Sequence, residues 1–150
     1  MKYRQMKSGD PAAFLENRME FVSTIREMGD SSIFRRRTAE YLAKHIERED
    51  LIVFLAIDEG KIAASCMACI FETVPLPSCP RGRSAEPLNV YTKKDFRRQG
   101  HAEKLLRLPL SEAKKRGVEK IVLEATEDGL SLYKKLGFTP LEGQMALRLS

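Results

Sequence analysis

The 150-residue sequence has no tryptophan, two histidines and three cysteines. An odd cysteine count, with no apolar leader in Met1-Lys2-Tyr3-Arg4-Gln5-Met6-Lys7, argues against a disulfide framework. Cys66 and Cys69 have CxxC spacing, but no second Cys or His pair completes a metal site. In a strand, residues three apart also face opposite ways, so inert buried thiols and no metal are expected. No apolar run approaches the roughly 18 residues that cross a bilayer, so a membrane is not expected as partner and a cytoplasmic location is. No Gly-Lys-Ser/Thr run closes a Walker loop. No aromatic–basic stripe supports nucleic-acid binding either, although the net charge of +5 suits some anionic partner. With no Ser-His-Asp or Cys-His arrangement, a covalent intermediate on the protein is not expected. Internal repeats and composition breaks are also lacking, so residues 1–150 are read as one domain.

What is present is a well-patterned globular chain, 43% hydrophobic and 31% charged. Tyr3 to Met6 suits a short edge strand. Asp10-Pro11 has the cap and first-turn proline of a helix start, followed at helical spacing by Phe14, Leu15, Met19, Val22, Ile25 and Met28, with Gly29 as a stop. Arg35-Arg36-Arg37 reads as a solvated lead-in to a second helix, Thr38 to Glu47. The runs Leu51–Ile57 and Ile62–Phe71, joined by Asp58-Glu59-Gly60-Lys61, read as an antiparallel hairpin. Val74 to Pro87 holds four of the seven prolines and reads as a loop able to wall a binding site, with Arg81, Arg83 and Glu86 as charges that could reach an acceptor.

Beyond that loop, Asn89 to Ala102 runs from a short apolar strand through a basic turn and a glycine into an amphipathic helix. Unpaired N–H groups at a helix start hold anions, and Gly100 admits a phosphate close to the backbone. Lys93, Lys94, Arg97 and Arg98 add positive charge there. The helix shows Ala102, Leu105, Leu106, Leu110 and Ala113 on one stripe, a kink expected at Pro109, and Gly117 at its end. Val118–Ala125 reads as a buried strand and Leu130–Leu136 as a short helix stopped by Gly137. In the tail, Met145, Leu147 and Leu149 alternate as in one or two further strands. Strand–helix–strand–helix order implies parallel neighbours in an α/β sheet.

Two motifs in this frame resemble the GNAT superfamily of acyl-CoA-dependent N-acetyltransferases. Arg97-Arg98-Gln99-Gly100-His101-Ala102, behind Val90-Tyr91-Thr92, is similar to the signature Q/R-x-x-G-x-G/A. Leu132-Tyr133-Lys134-Lys135-Leu136-Gly137-Phe138 is similar to the family's L-Y-x-K-x-G-F segment, and the helix and strand between them also match. The resemblance implies a mixed, twisted sheet of about six to seven strands, splayed at the cofactor site and flanked by about four helices. It implies acetyl-CoA as co-substrate, with amides from Arg98 to Ala102 on its pyrophosphate and Val90, Tyr91 and Thr92 on its pantetheine arm. Thr126 stands where the family often has an Asn near that arm. Tyr133 is the implied acid for the departing thiolate, and Glu86, near a family base position, is the candidate base; Glu124 is a second one. His45 and His101 are read as structural or surface residues, with the backbone of His101 mattering more than its ring. The implied activity is acetyl transfer to a primary amine on a small molecule or peptide, and the resemblance is compatible with a homodimer. The alternative is an acyl-CoA-binding module without chemistry.

Overall fold

The computed structural model describes residues 1–150 in the order β1 (Lys2–Gln5), α1 (Pro11–Ile25), α2 (Ser32–His45), β2 (Leu51–Asp58), β3 (Lys61–Glu72), β4 (Arg83–Thr92), a tight helical turn (Lys94–Phe96), α3 (His101–Lys115), β5 (Lys120–Ile121) and α4 (Leu130–Lys135). The strands form one sheet in the order β1-β2-β3-β4-β5. Neighbours are antiparallel up to β4, and β4–β5 is parallel. The β2–β3 turn is the two residues Glu59 (φ 49°) and Gly60 (φ 76°), both left-handed, which matches the strand twist of a tight hairpin.

The central strands are apolar on both faces because both are covered. On one face Ile52, Phe54, Ala64 and Cys66 pack with Leu105, Leu106 and Ala113 of α3 and Tyr133 of α4. On the other, Leu51, Val53, Leu55 and Met67 pack with Phe14 of α1 and Leu42 of α2. Cys66 and Cys69 accordingly face opposite sides, as strand alternation requires. Pro109 is fully buried on the inner face of α3. No helix is long and apolar enough to cross a membrane.

The structure corrects several expectations. The sheet has five strands rather than six to seven. The tail is unpaired, with Met145, Leu147 and Leu149 exposed, and only Lys120–Ile121 of the expected 118–125 strand joins the ladder. Alternation supplies a strand's faces but not its hydrogen-bond partner, and none is offered to 144–149 here. Asp10 does not cap α1: its carboxylate accepts from Arg4 and from the Lys7 N–H (2.6 Å) instead. Helix α2 starts at Ser32, so the arginine run lies inside it, where arginine is a good helix former. Strand β4 starts at Arg83, which moves Glu86 and Pro87 from the expected loop into the sheet. The remaining loop, 73–82, turns away from α1 and α2: the Arg81 N–H bonds Glu119 (2.6 Å) and the Arg83 side chain bonds the Arg116 carbonyl (2.8 Å).

Candidate active site at the open edge of β4

Strands β4 and β5 pair only at Ser84 with Lys120 and Ala85 with Ile121, and their last bond is Val122 N–H to Ala85 O (3.0 Å). Beyond it the two strands part. The cause lies in β4. Ala68 faces Pro87, but the next β3 residue, Met67, faces Asn89, so Leu88 is an extra residue. Such a bulge bends a strand and raises its twist, which carries the end of β4 away from β5. It also flips the alternation, so that Asn89 and Tyr91 face α1 together with Glu86.

The gap opens on a cleft of about 730 Å³ between α1, the start of α2, β4 and the segment after β5. Among the residues lining it are Arg18, Glu86, Val90, Glu124, Thr126 and Tyr133. A second hollow of about 600 Å³ lies between α3, β5 and residues 136–144, and Tyr133 belongs to both walls. One side chain therefore stands at the partition.

The turn from β4 into α3 supplies the cradle. Arg98 (φ 62°) and Gly100 (φ 83°) are both left-handed, alternating with Gln99 between them. The amides of Arg98, Gln99 and Gly100 make no backbone hydrogen bond, and those of His101 and Ala102 open a helix and lack intrahelical acceptors. Together they form a concave row of free donors of the kind that binds phosphate. The side chains of Arg97, Gln99 and His101 are engaged elsewhere. Arg97 Nε donates to Thr92 O (3.1 Å), and the His101 ring meets the Tyr3 hydroxyl and Gln99 Oε1 (3.2 Å). The free hydrogen-bonding groups of this turn are therefore its backbone amides.

Tyr133 is 8% exposed, its ring edge-on to Phe138 with centroids 5.8 Å apart. Burial, with a smaller contribution from Cys66, raises its pKa, so the phenol stays protonated at neutral pH. Gly129 approaches so closely that a Cβ there would lie 2.7 Å from the ring. Thr126 Oγ1 accepts the Gly129 N–H (3.2 Å), which ties down the turn before α4. Across the cleft, burial and then the charge of Glu124 raise the Glu86 pKa. A half-buried carboxylate of raised pKa is a better base than an ordinary glutamate. Cys66 is sealed in the core and its thiol is pushed up to about 12, which removes it as a nucleophile.

Two residues escaped the sequence reading. Arg18 projects into the cleft from α1, and Asn89 sits fully buried at the bulge. For Arg18 there was a signal: it falls four residues after Phe14 and four before Val22, on the helix face otherwise given to the core. For Asn89 there was none, because the bulge that turns it inward depends on pairing with β3.

A model of the acetyltransferase (GNAT) domain matches residues 49–140, which include the bulge, the cradle and Tyr133. The chain belongs to the acetyltransferase (GNAT) domain family. This GNAT domain is 28% identical over 124 residues to an amino-acid acetyltransferase of Edwardsiella ictaluri, a match covering 83% of the chain and 25% of that protein. It thus spans about a quarter of the curated relative. A predicted acetyltransferase from Clostridium acetobutylicum, solved with acetyl-CoA, superposes with a TM-score of 0.86 at 25% identity, over 99% of this chain and 96% of that one. A GCN5-related N-acetyltransferase from Ralstonia eutropha JMP134 superposes with a TM-score of 0.87 at 21% identity, over 99% of each chain. The mixed α/β GNAT fold, with five strands and four helices, is therefore the frame in which the site is read.

Proposed function

We propose that this domain transfers an acetyl group from acetyl-CoA to a primary amine by direct attack on the thioester. The observation that carries the reading is that a carboxylate of raised pKa and a buried tyrosine line one cleft beside β4, while the turn that leaves the same strand holds a row of free backbone donors. Acetyl-CoA, when bound, supplies an activated acetyl thioester. The amides of Arg98, Gln99, Gly100, His101 and Ala102 hold its pyrophosphate, while Arg97 and neighbouring cations attract it. The free edge of Val90, Tyr91 and Thr92 hydrogen-bonds the pantetheine arm, and Thr126 borders the same opening. Glu86, assisted by the field of Glu124, takes the proton from the incoming ammonium, directly or through water. The Tyr133 hydroxyl hydrogen-bonds the departing sulfur. A phenol, whose ordinary pKa is about 10 and which burial raises here, suits a stabiliser of a thiolate whose parent thiol ordinarily sits near 8.5. The acceptor is a small amine held between α1, α2 and β4, and the name of the Edwardsiella relative makes amino acids the first class to assay.

A module that only binds acyl-CoA would keep the cradle and need neither Glu86 nor Tyr133. Thiol release over an amine panel, with wild type and Tyr133→Phe, separates the two. Loss of the phenol is expected to lower kcat by about a hundredfold or more. Turnover unchanged in the variant would remove Tyr133 from the chemistry. Failure to bind acetyl-CoA at about ten micromolar, where Kd corresponds to roughly 7 kcal/mol, would overturn the whole reading.

A further inference from the structure

Arg18, Arg26, Glu27, Asp30, Glu86 and Glu124 line the acceptor cleft, and no ion pair joins any two of them. Arg18 Nη1 donates to the carbonyl of the bulge residue Leu88 (3.0 Å) and to Asn89 Oδ1 (3.2 Å). Its guanidinium carbon stands 5.9 Å from the centre of the Phe34 ring. Both bonds use Nη1, so Nε and Nη2 keep their hydrogens without a protein acceptor. No carboxylate lies close enough to act on Arg18; its one ionisable neighbour is Cys69, a thiol that burial keeps neutral. Burial lowers the Arg18 pKa without compensation by an acid, as befits a half-buried cation that has no counter-ion. Farther along β4 and on the segment after β5, Glu86 and Glu124 stand close enough for the charge of one to raise the pKa of the other.

A half-buried guanidinium stays charged and is costly without an anion, and its planar fork matches a carboxylate through two parallel hydrogen bonds. We propose that Arg18 anchors the acceptor by its carboxylate, so that the substrate is a zwitterionic amine such as an α-amino acid. Its carboxylate sits on the free edge of Arg18 and its ammonium points to Glu86 and Glu124. The inference rests on the acetyl-transfer reading and narrows its acceptor. A polyamine would set positive charge against Arg18 and leave the guanidinium unpaired.

The test compares alanine, leucine and glutamate with their methyl esters, with the corresponding decarboxylated amines and with O-phosphoethanolamine, by thiol release from acetyl-CoA. Wild type is expected to favour free acids over esters and plain amines by about tenfold or more in kcat/KM, the value of one charge-assisted contact. Arg18→Lys and Arg18→Gln are expected to raise KM for the acids by roughly ten- to a hundredfold, to change kcat less, and to bring the acid-to-ester ratio toward one. Calorimetric binding of acetyl-CoA by each variant reports that the fold is retained. Esters or plain amines accepted as well as acids, a preference for O-phosphoethanolamine, or an acid preference that survives in Arg18→Gln would each overturn the proposal and leave acetyl transfer standing. No turnover of any amine while acetyl-CoA binds would overturn both.

Discussion

Tyr133 owes its position to a residue with no side chain. Its ring fills the space a Cβ would need at Gly129, one turn earlier, where the closest approach would be 2.7 Å to a ring carbon. Gly129→Ala must therefore move either the ring or the start of α4. Overpacking of this kind costs about 1–3 kcal/mol, and a catalytic group displaced by about an ångström loses roughly a hundredfold in rate. The expected result is a lower Tm together with a kcat loss comparable to that of Tyr133→Phe, read from melting curves and thiol release. A second residue-scale device holds the bulge. Asn89 Nδ2 donates to Ser65 Oγ (2.8 Å), Ser65 donates to Asn17 Oδ1, and Asn89 Oδ1 accepts from Arg18. All three linked side chains are buried, and Asn17 Nδ2 already lacks a partner. Ser65→Ala would strand further buried polar atoms and is expected to cost about 1–3 kcal/mol in denaturant unfolding.

At the scale of elements, the role proposed for the turn between β4 and α3 depends on conformation more than on charge. Gly100 is left-handed at φ 83°, and a Cβ added there would meet nothing within 4 Å. Gly100→Ala is thus a test of backbone geometry without steric clash. Forcing alanine into the left-handed region costs about 1–2 kcal/mol, and relief of that strain would rotate the amides out of their concave row. Acetyl-CoA affinity is expected to fall by roughly tenfold in calorimetry, while Arg98→Ala, which keeps the row but removes a cation, should weaken binding less at physiological salt. Strand β4 shows the same logic. Its bulge both ends the ladder to β5 and turns Asn89 toward α1, so a single extra residue opens the cleft and furnishes one of its walls.

At the scale of the molecule, the parting of β4 from β5 leaves Glu86 of β4 and Glu124 of the segment after β5 at one opening. Burial and then Glu124 hold the Glu86 pKa above that of an ordinary glutamate. A base must be ionised, so kcat/KM is expected to fall as pH drops through that raised value. Glu124→Gln removes the like charge and should move this acid limb to lower pH, whereas Glu86→Gln should remove the limb along with most of the activity; pH–rate profiles read both. For stability the sign is opposite. A carboxyl whose folded pKa is raised contributes stability below its unfolded pKa and loses it as pH rises through the folded one. Glu86→Gln is therefore expected to gain stability at neutral pH, measurable as a higher denaturation midpoint.

The local features of the candidate site were legible in the chain because they are written in contiguous residues. Gly100 at the head of an apolar-striped helix dictates free amides beside a glycine, and Tyr133 four residues before Gly137 dictates a tyrosine on the inner face of a short helix. The hairpin was equally readable, since Leu51–Ile57 and, Ser65 apart, Ile62–Phe71 are apolar and joined by a short turn containing Gly60. What tertiary structure alone decided is which groups meet. Glu86 looked like a loop charge until pairing with Cys69 made it a strand residue facing the cleft. Arg18 interrupts the core face of α1, and only the bulge at Leu88 gives it a carbonyl to hold while leaving Nε and Nη2 without a protein acceptor. The alternation of Met145, Leu147 and Leu149 named a strand pattern, but pairing needs a partner edge, and the structure gives those residues none. Helix caps, turns and anion cradles are short-range and therefore carried by sequence; register, bulges and the opposition of charges across a cleft arise from pairing between distant segments, which no local pattern contains.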